Sequence, residues 1–113
     1  MNGCLFCKIA AGEIPSTKVY EDENFYSFLD INPQAKVHAL IIPKEHYADM
    51  AELSKKDPAL AGEMLKTACL AAEQLGLKNG FRLITNTGAD ARQSVRHTHV
   101  HILGGEELSE RMG

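Results

Sequence analysis

The chain has 113 residues, 44% hydrophobic and 24% charged, a balance that suits one packed domain over residues 1–113 and excludes a disordered or collagen-like chain. Its net charge of −3 provides no clustered basic face for nucleic acid, and no apolar run nears the ~18 residues of a membrane span. Met1-Asn2-Gly3-Cys4 has no signal-peptide character, so the expectation is a cytoplasmic protein with neither nucleic-acid nor membrane partners.

In chain order, Lys18–Asp22 and Phe25–Leu29 are aromatic and β-branched runs joined by Glu23-Asn24, the pattern of a β-hairpin. Asp30–Gln34 is a turn cluster, and a third strand from His38 to Ile42 ends at Pro43. Ala48–Leu53 predicts a short helix. A long helix runs from Pro58, which suits a first helical turn, to Leu75 before Gly76. Leu60, Met64, Ala68, Ala71, Ala72 and Leu75 recur at three- and four-residue steps along it and form its apolar stripe, and Cys69 reads as core packing. Phe81–Asn86 predicts a strand, Thr87–Arg92 a loop, and Val95–Leu103 a last strand closed by Gly104-Gly105, while the tail from Glu106 has no periodicity. Strands, then a helix, then strands again imply an α+β fold with a mostly antiparallel sheet of about five strands, one long helix and one short helix.

Three of the five histidines fall in His97-Thr98-His99-Val100-His101. In a strand this period of two sends the three rings to one face, ~6.5–7 Å apart, with Thr98, Val100 and Ile102 packed on the other. Such a face suits a metal site, a histidine nucleophile with its helpers, or incidental exposure, the last being the weakest because the chain spends little histidine elsewhere. Asn86, Gly88, Gln93 and Ser94 add small donors of the kind that stabilise a phosphate oxyanion. His38 adds a fourth imidazole, and Asp30 a carboxylate suited to a ribose diol. Cys4-Leu5-Phe6-Cys7 has the spacing of a metal half-site or a redox pair, against the alternative of two free thiols.

Gly88-x-Asp90-x-x-Gln93-Ser94-Val95-x-His97-x-His99-x-His101-x-Leu103-Gly104-Gly105 resembles the signature of the histidine triad (HIT) family of nucleotide hydrolases and transferases. Gly12-Glu13-Ile14-Pro15, Asp30-Ile31-x-Pro33-Gln34-Ala35, His38 with Ile41-Ile42-Pro43-Lys44, and Asn86 extend the likeness over nearly the whole chain. It is most similar to the Hint branch, the purine nucleoside phosphoramidases. The resemblance implies a HIT-like fold whose sheet continues across a homodimer. It also implies hydrolysis of adenosine or guanosine 5′-phosphoramidates through a nucleotidyl-histidine, releasing the nucleoside monophosphate and an amine. The alternatives are a dinucleoside polyphosphate hydrolase of the same family, a nucleotide-binding regulatory module without turnover, and a zinc-bearing scaffold.

The roles implied by the resemblance follow its motif positions. His99 is the nucleophile, oriented by the backbone carbonyl of His97, while His101, His38 and Asn86 contact phosphate oxygens. Ser94 meets the leaving group and Asp30 the ribose. Gln93 and Arg92 belong to the phosphate-side loop. Phe6, Ile9, Phe28, Ile31 and Leu40 read either as walls of a base cleft or as ordinary core. Cys4, Cys7, His46 and His97 match the set that holds a structural zinc in some members, and catalysis requires no cofactor. Two positions depart from the family: Ala91-Arg92 stand where glycines usually precede Gln93, and Glu106 replaces an arginine.

Overall fold

A computed structural model describes residues 3–112. Its elements are α1 (Leu5–Ala10), β1 (Lys18–Glu21), β2 (Phe25–Leu29), β3 (Val37–Pro43), α2 (Met50–Lys56), α3 (Pro58–Gln74), β4 (Phe81–Ile84) and β5 (Val100–Gly104). The five strands form one sheet in the order β1-β2-β3-β5-β4, each neighbouring pair antiparallel. The predicted α+β architecture is therefore the one observed. The hairpin turns where expected, because Asp22 Oδ1 accepts from the backbone N–H groups of Asn24 and Phe25, each at 2.8 Å. No helix among the described residues is long and apolar enough to cross a membrane.

Each face of the sheet has its own apolar layer. Phe25, Ala39, Ile41, Val100 and Ile102 face α3, which contributes Met64, Ala68, Ala71 and Ala72. Asp57 caps that helix by accepting from Leu60 N–H at 3.0 Å, and Gly76 follows it with φ 76°. The opposite face carries Tyr26, Phe28, Leu40 and Ile42 under Phe6 and Ile9 of α1. His101 is directly paired with Leu40 and His38 with Leu103, so strand alternation sets both imidazoles on this second face.

Four sequence expectations are corrected. A second short helix, α1, occupies the N-terminal segment, where Cys4 Sγ accepts from Cys7 N–H at 3.2 Å; six residues are too few to show a periodic stripe. Cys69 is exposed rather than core, because the stripe of α3 passes through Ala68 and Ala72 and turns position 69 outward. β4 ends at Ile84, not Asn86. The last strand begins at Val100 rather than Val95. Thr98 there donates its backbone N–H to Tyr47 O at 2.7 Å, and Gln93 Nε2 donates to Val95 O at 2.9 Å. These bonds hold the preceding segment out of the β3 ladder.

Candidate active site and metal centre

That late start of β5 separates the three histidines. Thr98, Val100 and Ile102 are buried on the core side as their alternation predicts. His97, however, leaves the triplet and turns to the end of β3, where its Nε2–H donates to Pro43 O at 2.8 Å. His99 and His101 remain neighbours, with ring centroids 5.1 Å apart. His99 Nδ1–H donates to the backbone carbonyl of His97 at 2.7 Å. This bond fixes the tautomer and leaves the Nε2 lone pair bare, the form a nucleophilic imidazole requires. Burial pushes the His99 pKa below its ordinary value, opposed by the His97 carbonyl and by Asp30, so the ring is neutral at pH 7.

A chain of donors orients the next two rings. Gln34 N–H donates to His38 Nδ1 at 3.0 Å, which places the proton of neutral His38 on Nε2. His38 Nε2–H then donates to His101 Nδ1 at 2.9 Å, with Asp30 Oδ2 3.4 Å from the same nitrogen. The proton of His101 is thereby set on Nε2, available as a donor. Burial, then the charges of His99 and His38, push the His101 pKa down to about 4 from its ordinary 6.5. The unfolded chain thus binds more protons in that window, and stability falls as pH drops from about 6.5 toward about 4, by at most ~1.4 kcal/mol per unit for one group. Urea midpoints at pH 7 and pH 5 check this, and His101→Gln should flatten the difference.

Asp30, His38 and His101 bring three ligand atoms together, and Cys4, Cys7, His46 and His97 bring four, but only the second set fits a metal. A cation on His38 Nε2 would force the His38 proton onto Nδ1, against the Gln34 N–H. In the second set, the Pro43 carbonyl takes the Nε2–H of His97 and frees its Nδ1. That nitrogen lies 3.2 Å from Cys4 Sγ, 3.4 Å from Cys7 Sγ and 3.2 Å from His46 Nδ1, with Cys7 Sγ 3.3 Å from His46 Nδ1. Tetrahedral zinc ligands at ~2.0–2.1 Å (nitrogen) and ~2.3 Å (sulfur) stand roughly 3.3–3.6 Å apart, close to these separations. Burial and the neighbouring Cys4 push the Cys7 thiol up to about 11, a cost that a dication reverses. The spacing of three between the cysteines puts both sulfurs at the start of α1, on one side of a helical turn.

Beside the histidines lies a cleft of about 460 Å3, lined by His38, Asn86, His101, Arg82 and Ile84 and closed on one side by the tail segment 106–111. Arg82 holds that tail, donating Nη1–H to Arg111 O at 3.0 Å and Nη2–H to Ser109 O at 2.8 Å. Lys36 N–H donates to Glu106 Oε2 at 2.7 Å. Sequence reading missed Arg82, although it stands two residues before Ile84, the partner of His101, and so shares its face. Residues 11–108 match the HIT domain family. The chain belongs to the HIT domain family.

Relatives agree over almost the full length. Protein HitA of Neisseria gonorrhoeae is 44% identical over 104 residues, 92% of this chain and 97% of that protein. A 14 kDa zinc-binding protein of Zea mays is 45% identical over 107 residues, 93% of this chain and 84% of that protein. The crystal structure of a HIT family hydrolase from Legionella pneumophila superposes with a TM-score of 0.92 at 45% identity, covering 98% of this chain and all (100%) of that one.

Other residues singled out in the HIT motif fall in several places. Gln93 is committed to the loop: Oε1 accepts from Gly88 N–H at 3.0 Å, and Nε2 donates to Ala48 O at 2.7 Å and Val95 O at 2.9 Å. It shapes the loop rather than offering a free donor. Ser94 is exposed and lines a groove with Cys4, Leu5, His46 and Val95, none of which lines the cleft that holds His101. Phe6 and Ile9 of α1 pack with Phe28 and Leu40 in the buried apolar layer, whereas Ile31 is 91% exposed. Asp30 Oδ1 accepts from Asn32 N–H at 2.8 Å, which leaves Oδ2 facing His38.

Arg92 explains one departure from the family pattern. It has φ 60°, left-handed backbone, and its N–H donates to Ala89 O at 2.9 Å to close the loop. A glycine takes that conformation freely, so the family's glycine there answers a backbone demand. Arg92→Gly is expected to stabilise the protein by about 0.5–1 kcal/mol, read from chemical denaturation, while Arg92→Ala should give no such gain.

Proposed function

We propose that this HIT domain protein hydrolyses the P–N bond of purine nucleoside 5′-phosphoramidates, adenosine or guanosine, to the nucleoside monophosphate and an amine. The observation that carries the reading is His99: a neutral, buried ring whose Nδ1–H is bound to the His97 carbonyl at 2.7 Å, leaving Nε2 unprotonated beside His101.

In this reading Nε2 of His99 attacks the α-phosphorus, the P–N bond to the amine breaks, and the amine leaves after taking a proton. Water then attacks the same phosphorus, the phosphorus–histidine bond breaks, and the proton of water is released as the monophosphate departs. His101 Nε2–H and Asn86 donate to the phosphate oxygens, with His38 setting the tautomer of His101. Ser94 meets the leaving group and Asp30 the ribose. Ile31, which is 91% exposed, offers an apolar side chain to the base, while Phe28, Phe6, Ile9 and Leu40 form a buried apolar layer. Cys4, Cys7, His46 and His97 hold a zinc ion that cross-links α1 to the sheet and takes no chemical part; the zinc-binding maize relative supports that assignment. The hydrolase from Legionella supports turnover over binding alone. A homodimer that continues the sheet fits β4, an edge strand with Phe81 37% exposed.

The test is incubation with adenosine 5′-phosphoramidate, followed by quenching and mass spectrometry. Equal release of AMP and ammonia, with an adenylyl group on His99, supports the proposal. AMP binding without turnover would replace it with the regulatory-module reading, and preference for diadenosine polyphosphates would move it to the neighbouring branch.

A further inference from the structure

We propose that Phe6 is a positioning residue, through which the four-ligand metal centre holds the His99 ring in its reactive orientation. Phe6 lies between the two cysteines on α1 and is 6% exposed. Its ring meets His99 edge-on at 5.1 Å and 86°, and His97 at 6.0 Å and 72°. The hydrogen bond from His99 Nδ1 to the His97 carbonyl fixes one direction in the imidazole but leaves the ring free to rock about that axis. An aromatic ring set against it edge-on removes this second freedom.

Both restraints return to the same four side chains. The carbonyl belongs to His97, one of the ligands, and Phe6 sits on the turn that Cys4 and Cys7 close. α1 has only six residues and cannot hold its shape alone. Phe6 and Ile9 anchor it on the sheet, and Cys4 and Cys7, on either side of Phe6 and within 3.2–3.4 Å of His97 and His46, set how the turn that carries Phe6 is rotated on that anchor. A filled centre therefore sets the angle of Phe6, and Phe6 sets the plane of His99. If Phe6 were only a wall for the base, its loss would weaken substrate binding; as a positioning residue, its loss slows the chemical step. The inference takes His99 as the nucleophile from the proposed function, but the coupling itself has a readout that needs no turnover.

The experiment uses protein prepared with added zinc in four forms: wild type, Phe6→Leu, Cys7→Ser and the double variant. Zinc content, kcat and KM for adenosine 5′-phosphoramidate, and the 15N and N–H signals of the His99 ring are measured in each. Phe6→Leu should keep its zinc, lose about tenfold in kcat with KM within about twofold, and show a broadened His99 Nδ1–H signal. Cys7→Ser should lose zinc and show the same change at His99, and the double variant should be no worse than the worse single one. Raised KM with unchanged kcat in Phe6→Leu, multiplying losses in the double variant, or an unaltered His99 signal in Cys7→Ser would each overturn the proposal. Should Phe6→Leu not fold, chelation of wild type decides, since a His99 signal indifferent to zinc removal overturns it as well. A wild type without turnover would fail the proposed function, while the imidazole signals would still decide the coupling.

Discussion

His99→Ala is expected to lower phosphoramidate turnover by at least about 10³-fold while changing AMP affinity by less than about tenfold. The variant removes the one imidazole whose tautomer leaves a bare Nε2 among buried groups, but keeps Asp30, Asn86 and the apolar side of the site. Parallel measurement of kcat and of AMP binding by calorimetry checks both halves. Asp30→Ala should show the opposite balance, with weakened binding and a smaller loss in kcat. Its carboxylate touches His38 at 3.4 Å and not the reacting nitrogen. Equal losses of both quantities in the two variants would rule out this division of roles.

Removal of the proposed zinc, by chelation or by Cys4→Ser, is expected to lower the melting temperature by roughly 15 °C. The size follows from linkage: an ion at 1,000 times its dissociation constant adds about 4 kcal/mol to the folded state, and a domain of this length shifts by ~4 °C per kcal/mol. The effect should concentrate at the N-terminus, because Cys4 and Cys7 are the points where α1 is tied to His46 and His97. Calorimetric melts with and without chelator, with zinc measured on the same samples, check it. A melting temperature indifferent to zinc would leave the four side chains as an unoccupied cluster.

The fold class, though not the strand order, could be anticipated from the sequence, since hairpin, turn and helix signals are local and the pattern of period two reports burial directly. The long helix was legible for the same reason, from Pro58 through Gly76. The error at Val95–His99 has a physical source: alternation in sequence is compatible with a strand but does not require one. Here Tyr47 and Gln93 claim the backbone groups that a ladder would have used. Tyr47 lies some fifty residues from the histidines it displaces, and Gln93, though close to them in sequence, acts through a side-chain bond that alternation does not record. His97 thereby passes from the phosphate face to the thiols, a role visible in advance only through the family resemblance. The proton positions on His38, His97 and His101 were also hidden, because they depend on backbone groups of Gln34 and Pro43 that no side-chain pattern records; the His97 carbonyl at His99 was expected through the family resemblance alone. Cys69 was misread because its residue type suggested burial, whereas its angle around α3 decided otherwise.

The grip of Arg82 on the tail has an evolutionary corollary. The guanidinium holds Ser109 and Arg111 by their main-chain oxygens, which every amino acid possesses. Side chains at those two positions can therefore be exchanged without loosening the anchor, and each exchange presents a different surface to the cleft. Selection can retune what this wall admits one residue at a time while the histidines behind it stay as they are.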